Sequence, residues 1–294
     1  MVSKWSAFGP APVRTREECT RRLRRKPNGY LIKNFETQGR HTMKRSLIFL
    51  YSVLSYALFF VTFLYSIGFI GNIGVPKAID SAPILPLGTS LLINLGLLTL
   101  FAVQHSGMAR PAFKRWLTRF IPEAAERSTY VLLSTVCLAL LMYFWAPLGG
   151  VVWNVTTNWA AITLTGLYFA SWGFLLYATF LIDHFDLFGL RQAFYALRNK
   201  VAPALEFKTR ALYRVVRHPI YVGWLGIVWF TPTMTVTHFV FAVGATLYIL
   251  VGIKLEERDL EAAHPEYAQY KEKVPALIPS PTRRLKGDVV TQSV

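Results

Sequence analysis

The sequence predicts an all-α protein, a polytopic integral membrane helical bundle with five full spans plus a short helix in a C-terminal helical hairpin. Of the 294 residues, 53% are hydrophobic and only 16% are charged. The mean hydropathy of +0.35 also excludes an ordinary soluble domain. Two further observations support the prediction: apolar runs of spanning length, and Lys and Arg residues confined to alternate connections between those runs.

A spanning helix needs roughly 20 apolar residues, and four runs before the hairpin are adequate. The hairpin follows as two apolar runs joined at the Thr-Pro-Thr of residues 231–233. Its first arm, of roughly 12 residues, is too short to span upright, and its second arm supplies the fifth span. The predicted runs are residues 47–70, 85–103, 129–145, 160–182, 219–230 and 236–253.

Three segments follow from this pattern. Residues 43–280 form one membrane domain, and the last residues, 281–294, form a disordered tail. Residues 1–42 hold ten basic and three acidic residues without an apolar period, so we expect a disordered N-terminal tail.

The basic residues predict the orientation in the membrane. Of the 32 Lys and Arg residues, 12 precede the first span, and only Lys77 falls in the loops at the opposite ends of the spans. By the positive-inside rule, both termini and the basic loops lie in the cytoplasm. The net charge of +16 therefore reflects topology and contact with anionic membrane lipids. We expect no nucleic acid partner, and nothing indicates an obligate protein partner.

Ionisable residues concentrate at the open end of the predicted hairpin. Residues 217–223 read RHPIYVG, and residues 255–259 read LEERD. Because a hairpin brings both runs to one membrane face, these charges require either a ligand or ion pairs. Glu256 and Glu257 can accept strong charge-assisted hydrogen bonds. The alternative is an interfacial ion pair between Arg217 and one of the two glutamates.

Residues 213–224, YRVVRHPIYVGW, and the tail from Glu256 to Pro275 resemble isoprenylcysteine carboxyl methyltransferases, which use S-adenosylmethionine. The resemblance implies that this end of the chain binds S-adenosylmethionine. It also suggests backbone contacts from residues 205–208. The implied cofactor-binding residues are Tyr213, Arg217, His218, Pro219, Ile220, Tyr221, Gly223, Glu256 and Glu257.

Nearly the whole chain, from about residue 43 to 279, is similar to bacterial methanethiol S-methyltransferases. Three runs carry this similarity: QHSGMARP at 104–111, ERSTY at 126–130 and HFDLFGLRQ at 184–192. The resemblance implies methyl transfer to methanethiol or a similar small thiol, with release of dimethyl sulfide. It also implies a bacterial inner membrane, with the active site on the cytoplasmic side.

A thiol acceptor calls for a proton acceptor or an electropositive pocket, because the thiolate is the nucleophile. A simple alkyl thiol ionises less readily than cysteine, whose pKa is roughly 8.5. We hypothesise that His184 or His105, both at cytoplasmic span ends, accepts the thiol proton. In this hypothesis Asp186 orients the imidazole, while Arg191 and Arg127 tune the local charge.

Two other functions remain open at this point. One is an isoprenylcysteine carboxyl or phospholipid N-methyltransferase, against which the runs containing His105 and His184 argue. The other is a non-enzymatic membrane protein, against which the conjunction of Arg217, His218 and the glutamates argues. We expect no metal site, since no pair of His or Cys residues has ligand spacing on one helix.

Overall fold

A computed structural model describes residues 30–203 and 209–281, with side chains from Lys44 onward. Residues 1–29, the segment 204–208 and the tail from 282 onward lie outside this part, so the predicted tails and domain boundaries stay predictions. The predominance of helix confirms the all-α class. The helices are α1 (Tyr30–Gly71), α2 (Leu87–Ala109), α3 (Pro111–Leu117), α4 (Glu123–Phe144), α5 (Asn158–Leu181), α6 (His184–Leu187), α7 (Leu190–Leu197), α8 (Pro219–Trp229), α9 (Val236–Ala263) and α10 (Tyr267–Lys273).

Five of these helices are long and apolar enough to cross a membrane, as predicted. They are the Lys44–Gly71 part of α1, then α2, α4, α5 and α9, with 22 to 28 residues each. Large apolar side chains remain exposed along them, such as Leu92 at 74% and Ile162 at 71%. Lipid tails solvate such side chains, so the protein is an integral membrane helical bundle.

The short helix α8 forms the first arm of the predicted hairpin and packs against α5. A Cβ atom added to Gly223 would lie 2.8 Å from the Cβ of Leu175, and one added to Gly226 would lie 2.9 Å from that of Ser171. Small residues of this kind allow membrane helices to approach closely. The structure thus gives Gly223 a packing contact with α5, while its implied cofactor contact stays a prediction.

The hairpin closes at the end of the bundle opposite its charged residues. A 3-10 turn (Ala211–Arg214) leads towards α8, and two short strands lie at the far end of the hairpin. Strand β1 (Val151–Asn154) pairs antiparallel with β2 (Thr233–Thr235), between α8 and α9. This pairing satisfies backbone groups where the chain leaves helical structure.

Asn94 of α2 is fully buried and binds the backbone just beyond the end of α4. Its Nδ2 donates to the Ala146 carbonyl at 2.7 Å, and its Oδ1 accepts from the Ala146 N–H at 2.9 Å. Asn94→Leu should therefore destabilise the protein, since each buried group left unpaired costs about 1–3 kcal/mol. Thermal unfolding in detergent measures the effect.

Thr163→Ala is the matched control, because it removes an exposed hydroxyl that bonds only to the carbonyl of Trp159 in its own helix. We expect little change in its unfolding temperature. Equal unfolding temperatures for Asn94→Leu and the parent would contradict the stabilising role of Asn94.

Candidate functional site

The two charged runs of the hairpin meet at Glu257, which is only 6% exposed. Its Oε1 accepts a hydrogen bond from Nε of Arg217 at 2.8 Å, forms an ion pair with Nη2 at 2.7 Å, and lies 3.0 Å from Nε2 of His218. Its Oε2 lies 3.1 Å from Nζ of Lys271. The structure therefore brings the two runs together, and the alternative of an ion pair between Arg217 and a glutamate is present in it.

The chain after α10 completes this cluster through its backbone. Nη1 of Arg217 donates to the carbonyls of Lys271, at 2.9 Å, and Val274. The N–H groups of Arg217 and His218 donate to the carbonyls of Pro275 and Ala276 at 2.9 and 3.1 Å. The Arg217–Glu257 pair thus fixes the start of α8 against both α9 and the C-terminal segment.

Glu256 has a different environment from its neighbour. Its Oε2 accepts a hydrogen bond from the Tyr221 hydroxyl at 2.9 Å and lies 3.7 Å from Nδ1 of His218. Its Oε1 makes no hydrogen bond or ion pair with the described residues. Protein groups occupy both oxygens of Glu257, whereas Glu256 retains one oxygen for a ligand.

Tyr213 and the first residues of α8 border this carboxylate. The Tyr213 hydroxyl lies 3.5 Å from the Ala178 carbonyl, at the end of α5. Burial, with the charge of Glu256, raises the pKa of Tyr213 well above its usual value, so the phenol stays a neutral donor. Pro219 and Ile220 are buried in the first turn of α8. The implied contacts from residues 205–208 fall outside the described part of the chain.

A second polar cluster surrounds His105 on α2. Its Nε2 lies 2.9 Å from the Tyr130 hydroxyl, and its Nδ1 lies 3.1 Å from the Ser134 hydroxyl. Ser106, next to His105, donates to the Tyr248 hydroxyl of α9 at 3.1 Å, and Arg110 donates to the carbonyl of Leu255, the residue before Glu256, at 3.3 Å. The end of α2 that carries His105 therefore packs against the part of α9 that leads to Glu256, while the role of His105 stays a prediction.

The other candidate proton acceptor, His184, contacts a different part of the bundle. Its Nδ1 lies 2.8 Å from the Thr179 hydroxyl, and its Nε2 lies 2.8 Å from the Tyr56 hydroxyl of α1. Its ring stacks on Phe180, with ring centroids 4.4 Å apart. Hydroxyl and aromatic contacts of this kind hold α1 against the end of α5.

The Asp186 carboxylate contacts no imidazole among the described residues, so its role in orienting one stays a prediction. The Asp186 carboxylate instead pairs with Nη1 of Arg191 at 3.1 Å. Asp186 follows His184 by two residues on one short helix, and residues so spaced face different directions. Arg191 also donates to the Pro203 carbonyl at 3.1 Å, so both residues fasten the α6–α7 segment.

Basic residues line the side of the His105 cluster that faces α3. The guanidinium of Arg127 lies 5.8 Å from the ring centroid of Tyr130 and is buried. Burial, with a smaller contribution from the charge of Arg127, lowers the pKa of Lys114 to about 8. Arg110 pairs with Asp259 at 2.9 Å, joining this region to α9. Arg127 therefore lies near the candidate base His105, with the Tyr130 ring in contact with both.

Sequence reasoning missed four of the groups that form these clusters. Lys271 of α10 contacts Glu257, while Tyr130, Ser134 and Tyr248 form the surroundings of His105. Tyr130 and Lys271 lay within runs that carried the two resemblances, but no role was assigned to either. Ser134 and Tyr248 stand in stretches where a single hydroxyl gives no local signal.

Comparison with known proteins agrees with this geometry. The chain is 49% identical over 245 residues to the methanethiol S-methyltransferase of Crocosphaera subtropica, covering 83% of this chain and 96% of that protein. It is 48% identical over 242 residues to the enzyme of that name from Mycobacterium tuberculosis, covering 82% and 99%. The chain belongs to the methanethiol S-methyltransferase family. It is therefore a methyltransferase, and the predicted resemblance is confirmed.

A more distant similarity extends beyond this family. Nurim of Bos taurus is 32% identical over 178 residues, which cover 58% of this chain and 68% of that protein. No family model matches the chain, and no solved structure matches it.

Proposed function

We propose that this protein transfers the methyl group of S-adenosylmethionine to methanethiol, giving dimethyl sulfide. The observation that carries the proposal is the Glu256 carboxylate. It is held by Tyr221 at 2.9 Å and lies 3.7 Å from Nδ1 of His218, and its other oxygen makes no hydrogen bond or ion pair with the described residues. Membership in the family and the names of its relatives support the thiol acceptor.

The donor and acceptor groups around Glu256 fit S-adenosylmethionine. Its free oxygen suits ribose hydroxyls or an ammonium group, because charge-assisted hydrogen bonds are the stronger kind. Tyr213 and Tyr221 supply neutral phenols beside it. When bound, S-adenosylmethionine supplies an electrophilic methyl group on a sulfonium sulfur, whose transfer to a thiolate leaves two neutral thioethers.

Arg217 and Glu257 support the cofactor site by positioning the residues that line it. Their buried pair holds His218 at the start of α8, where Pro219 occupies the first turn of the helix. Proline suits this position, and the nearby N–H groups of a helix start favour an anionic ligand group. The pair therefore positions His218, Pro219, Ile220 and Tyr221 around the cofactor.

His105, rather than His184, is the better proton acceptor for the thiol. Its neighbour Ser106 bonds to Tyr248 of α9, the helix that carries Glu256, and His105 is only partly buried. His184 is only 5% exposed, between Tyr56 and Phe180. The basic side chains of Arg127 and Lys114 favour the thiolate, the reactive form of the acceptor.

The charge pattern supports a cytoplasmic site in a bacterial inner membrane. Basic segments follow the span ends that carry Glu256 and His105, whereas Lys77 lies in a loop at the opposite ends of the spans. This asymmetry follows the positive-inside rule. We place both termini and the active site in the cytoplasm, with residues 43–280 as the membrane domain between two tails.

The test is an assay of the detergent-purified protein with S-adenosylmethionine and methanethiol in a sealed vial. Headspace gas analysis should detect dimethyl sulfide from the parent. Glu256→Gln should bind S-adenosylmethionine about 10- to 100-fold more weakly, as expected for the loss of one charged hydrogen bond of about 1.5–3 kcal/mol. Calorimetry measures that affinity.

The other outcomes separate substrate from cofactor. Cofactor binding without dimethyl sulfide would overturn the thiol acceptor and leave a methyltransferase with another substrate. Parent protein that does not bind S-adenosylmethionine would overturn the assignment of the Glu256 site. Unchanged affinity in Glu256→Gln would remove Glu256 from that site.

A further inference from the structure

We infer that four rings around His105 form the wall of the acceptor site and restrict the acceptor to thiols with a very small alkyl group. The inference rests on the proposed thiol methylation. The rings belong to Phe101 and His105 of α2, Tyr130 of α4 and Tyr248 of α9. We call them the ring wall.

The ring wall is a set of direct ring contacts. Phe101 and His105, one helical turn apart, stack with centroids 5.2 Å apart and planes at 16°. Tyr248 meets Phe101 edge-on at 6.1 Å, and Tyr130 lies 5.1 Å from the His105 ring. Three spans thus contribute aromatic surface around one imidazole.

Hydroxyl contacts hold the tyrosines of the wall in place. The Ser106 hydroxyl donates to that of Tyr248 at 3.1 Å, and the Tyr130 hydroxyl lies 2.9 Å from Nε2 of His105. A ring tethered at its far end moves away from an added carbon only by breaking a hydrogen bond. The wall therefore resists expansion.

The wall adjoins the cofactor site and keeps exposed surface. Ser106 beside His105 bonds to Tyr248 of α9, and Arg110 donates to the carbonyl of Leu255, which precedes Glu256, at 3.3 Å. Phe101, His105 and Tyr248 are each only partly buried, although they lie on spans packed against one another. An acceptor beside Glu256 would meet apolar ring faces for its alkyl group, and the Tyr130 hydroxyl, bonded to Nε2 of His105, would pass its proton to the imidazole.

The chemistry of these groups matches a small thiol. A methyl group gains apolar contact with the rings, whereas each further methylene must displace a tethered or stacked ring. Overpacking of this kind costs about 1–3 kcal/mol, and one methylene in an apolar enzyme pocket changes kcat/KM by about 10- to 200-fold. We expect methanethiol to be preferred over ethanethiol, and ethanethiol over 1-propanethiol.

The test is the ratio of kcat/KM for 1-propanethiol to that for methanethiol, measured from thioether formation. Phe101→Ala opens the wall without removing an ionisable group, so we expect this ratio to rise at least about tenfold. Phe63→Ala is the matched control: it deletes the same ring from α1, where Phe63 packs on Trp172, with ring centroids 5.0 Å apart. Its ratio should equal that of the parent.

Two further variants provide additional tests of the ring wall. If Phe101→Ala does not fold, Phe101→Leu makes a smaller opening and should raise the ratio for ethanethiol. Tyr248→Phe keeps the ring and removes the hydroxyl that accepts from Ser106, so it should relax the wall less than Phe101→Ala. An unchanged ratio in both Phe101 variants, with an active parent, would overturn the ring wall alone. A parent inactive on methanethiol would instead overturn the proposed function.

Discussion

Glu257→Leu should lower the free energy of unfolding in detergent by about 3–5 kcal/mol, because it leaves the buried charge of Arg217 without its carboxylate. The side chain of Arg217 is as deeply buried as that of Glu257, donates a hydrogen bond to it from Nε at 2.8 Å, and pairs with it through Nη2 at 2.7 Å. The substitution would also detach His218 and Lys271 from the same carboxylate. Denaturant or thermal unfolding followed by circular dichroism measures the loss.

Glu256→Leu is the matched control for this experiment, one residue earlier on the same helix. Glu256 contacts Tyr221 and His218 but no Arg or Lys among the described residues, so its loss should cost less stability than that of Glu257. The double variant Arg217→Met with Glu257→Leu should recover much of the stability lost by either single change, because it leaves no unpaired buried charge on these two residues. Additive losses in the double variant would contradict a buried, coupled pair.

The span architecture follows from composition because the membrane imposes it. Apolar runs of sufficient length can satisfy their backbone only as helices, and the runs beginning near Leu47, Leu85 and Ala160 all became spans. Four helix ends differ from the predicted runs by more than the usual uncertainty. Helix α1 begins at Tyr30, α2 extends through Ala109, α4 begins at Glu123 and α9 extends through Ala263, because polar helical turns continue past the apolar part of each span.

The sequence also predicts that distant site residues lie at the same end of the bundle, because the number of spans between them can be counted. Each span reverses the direction of the chain, so the ends near His105, His218 and Glu256 share one membrane face whatever the lateral order of the helices. The arrangement of the helices within the membrane plane cannot be predicted in this way, because it depends on contacts such as that of Gly223 with Leu175. No single-sequence pattern encodes that contact.

The roles of the two glutamates could not be assigned from sequence. Consecutive residues of a helix point about 100° apart, and the direction that faces the cofactor depends on where Arg217 and Lys271 lie. Those positions require the backbone contacts with Pro275 and Ala276, made by a segment that returns after a turn of the chain. The structure surrounds Glu257 with cations and places a phenol against Glu256, and on that difference we propose Glu256 as the ligand of the cofactor.

Two features of the site could not be derived from the sequence, for the same reason. Asp186 lies two residues from His184, but nearness along a short helix does not create a contact, and the Asp186 carboxylate pairs with Arg191. Tyr248 gave no signal, because a tyrosine in an apolar span is equally compatible with lipid contact and with packing. Its significance comes from the approach of α9 to Ser106 and Phe101.

His105→Gln should lower kcat for methanethiol by about 10²- to 10⁴-fold, the usual contribution of a positioned general base. Glutamine can still hydrogen-bond to Tyr130 and Ser134, the partners of the imidazole, so we expect the variant to fold and to bind S-adenosylmethionine as the parent does. Its residual activity depends on thiolate formed in solution. Below the pKa of the thiol, that activity should therefore rise about tenfold per pH unit, more steeply than the activity of the parent.

His184→Gln makes the same chemical change at the other candidate base. Because His184 bonds to Tyr56 and Thr179 away from Glu256, its removal should lower the unfolding temperature and leave the form of the pH profile as in the parent. Initial rates between pH 6 and about 9, with cofactor affinity measured separately, distinguish the two histidines. A steepened profile in His184→Gln, with a parental profile in His105→Gln, would transfer the role of proton acceptor to His184. Such a result would also move the acceptor site from the contact of α2, α4 and α9 to that of α1 and α5.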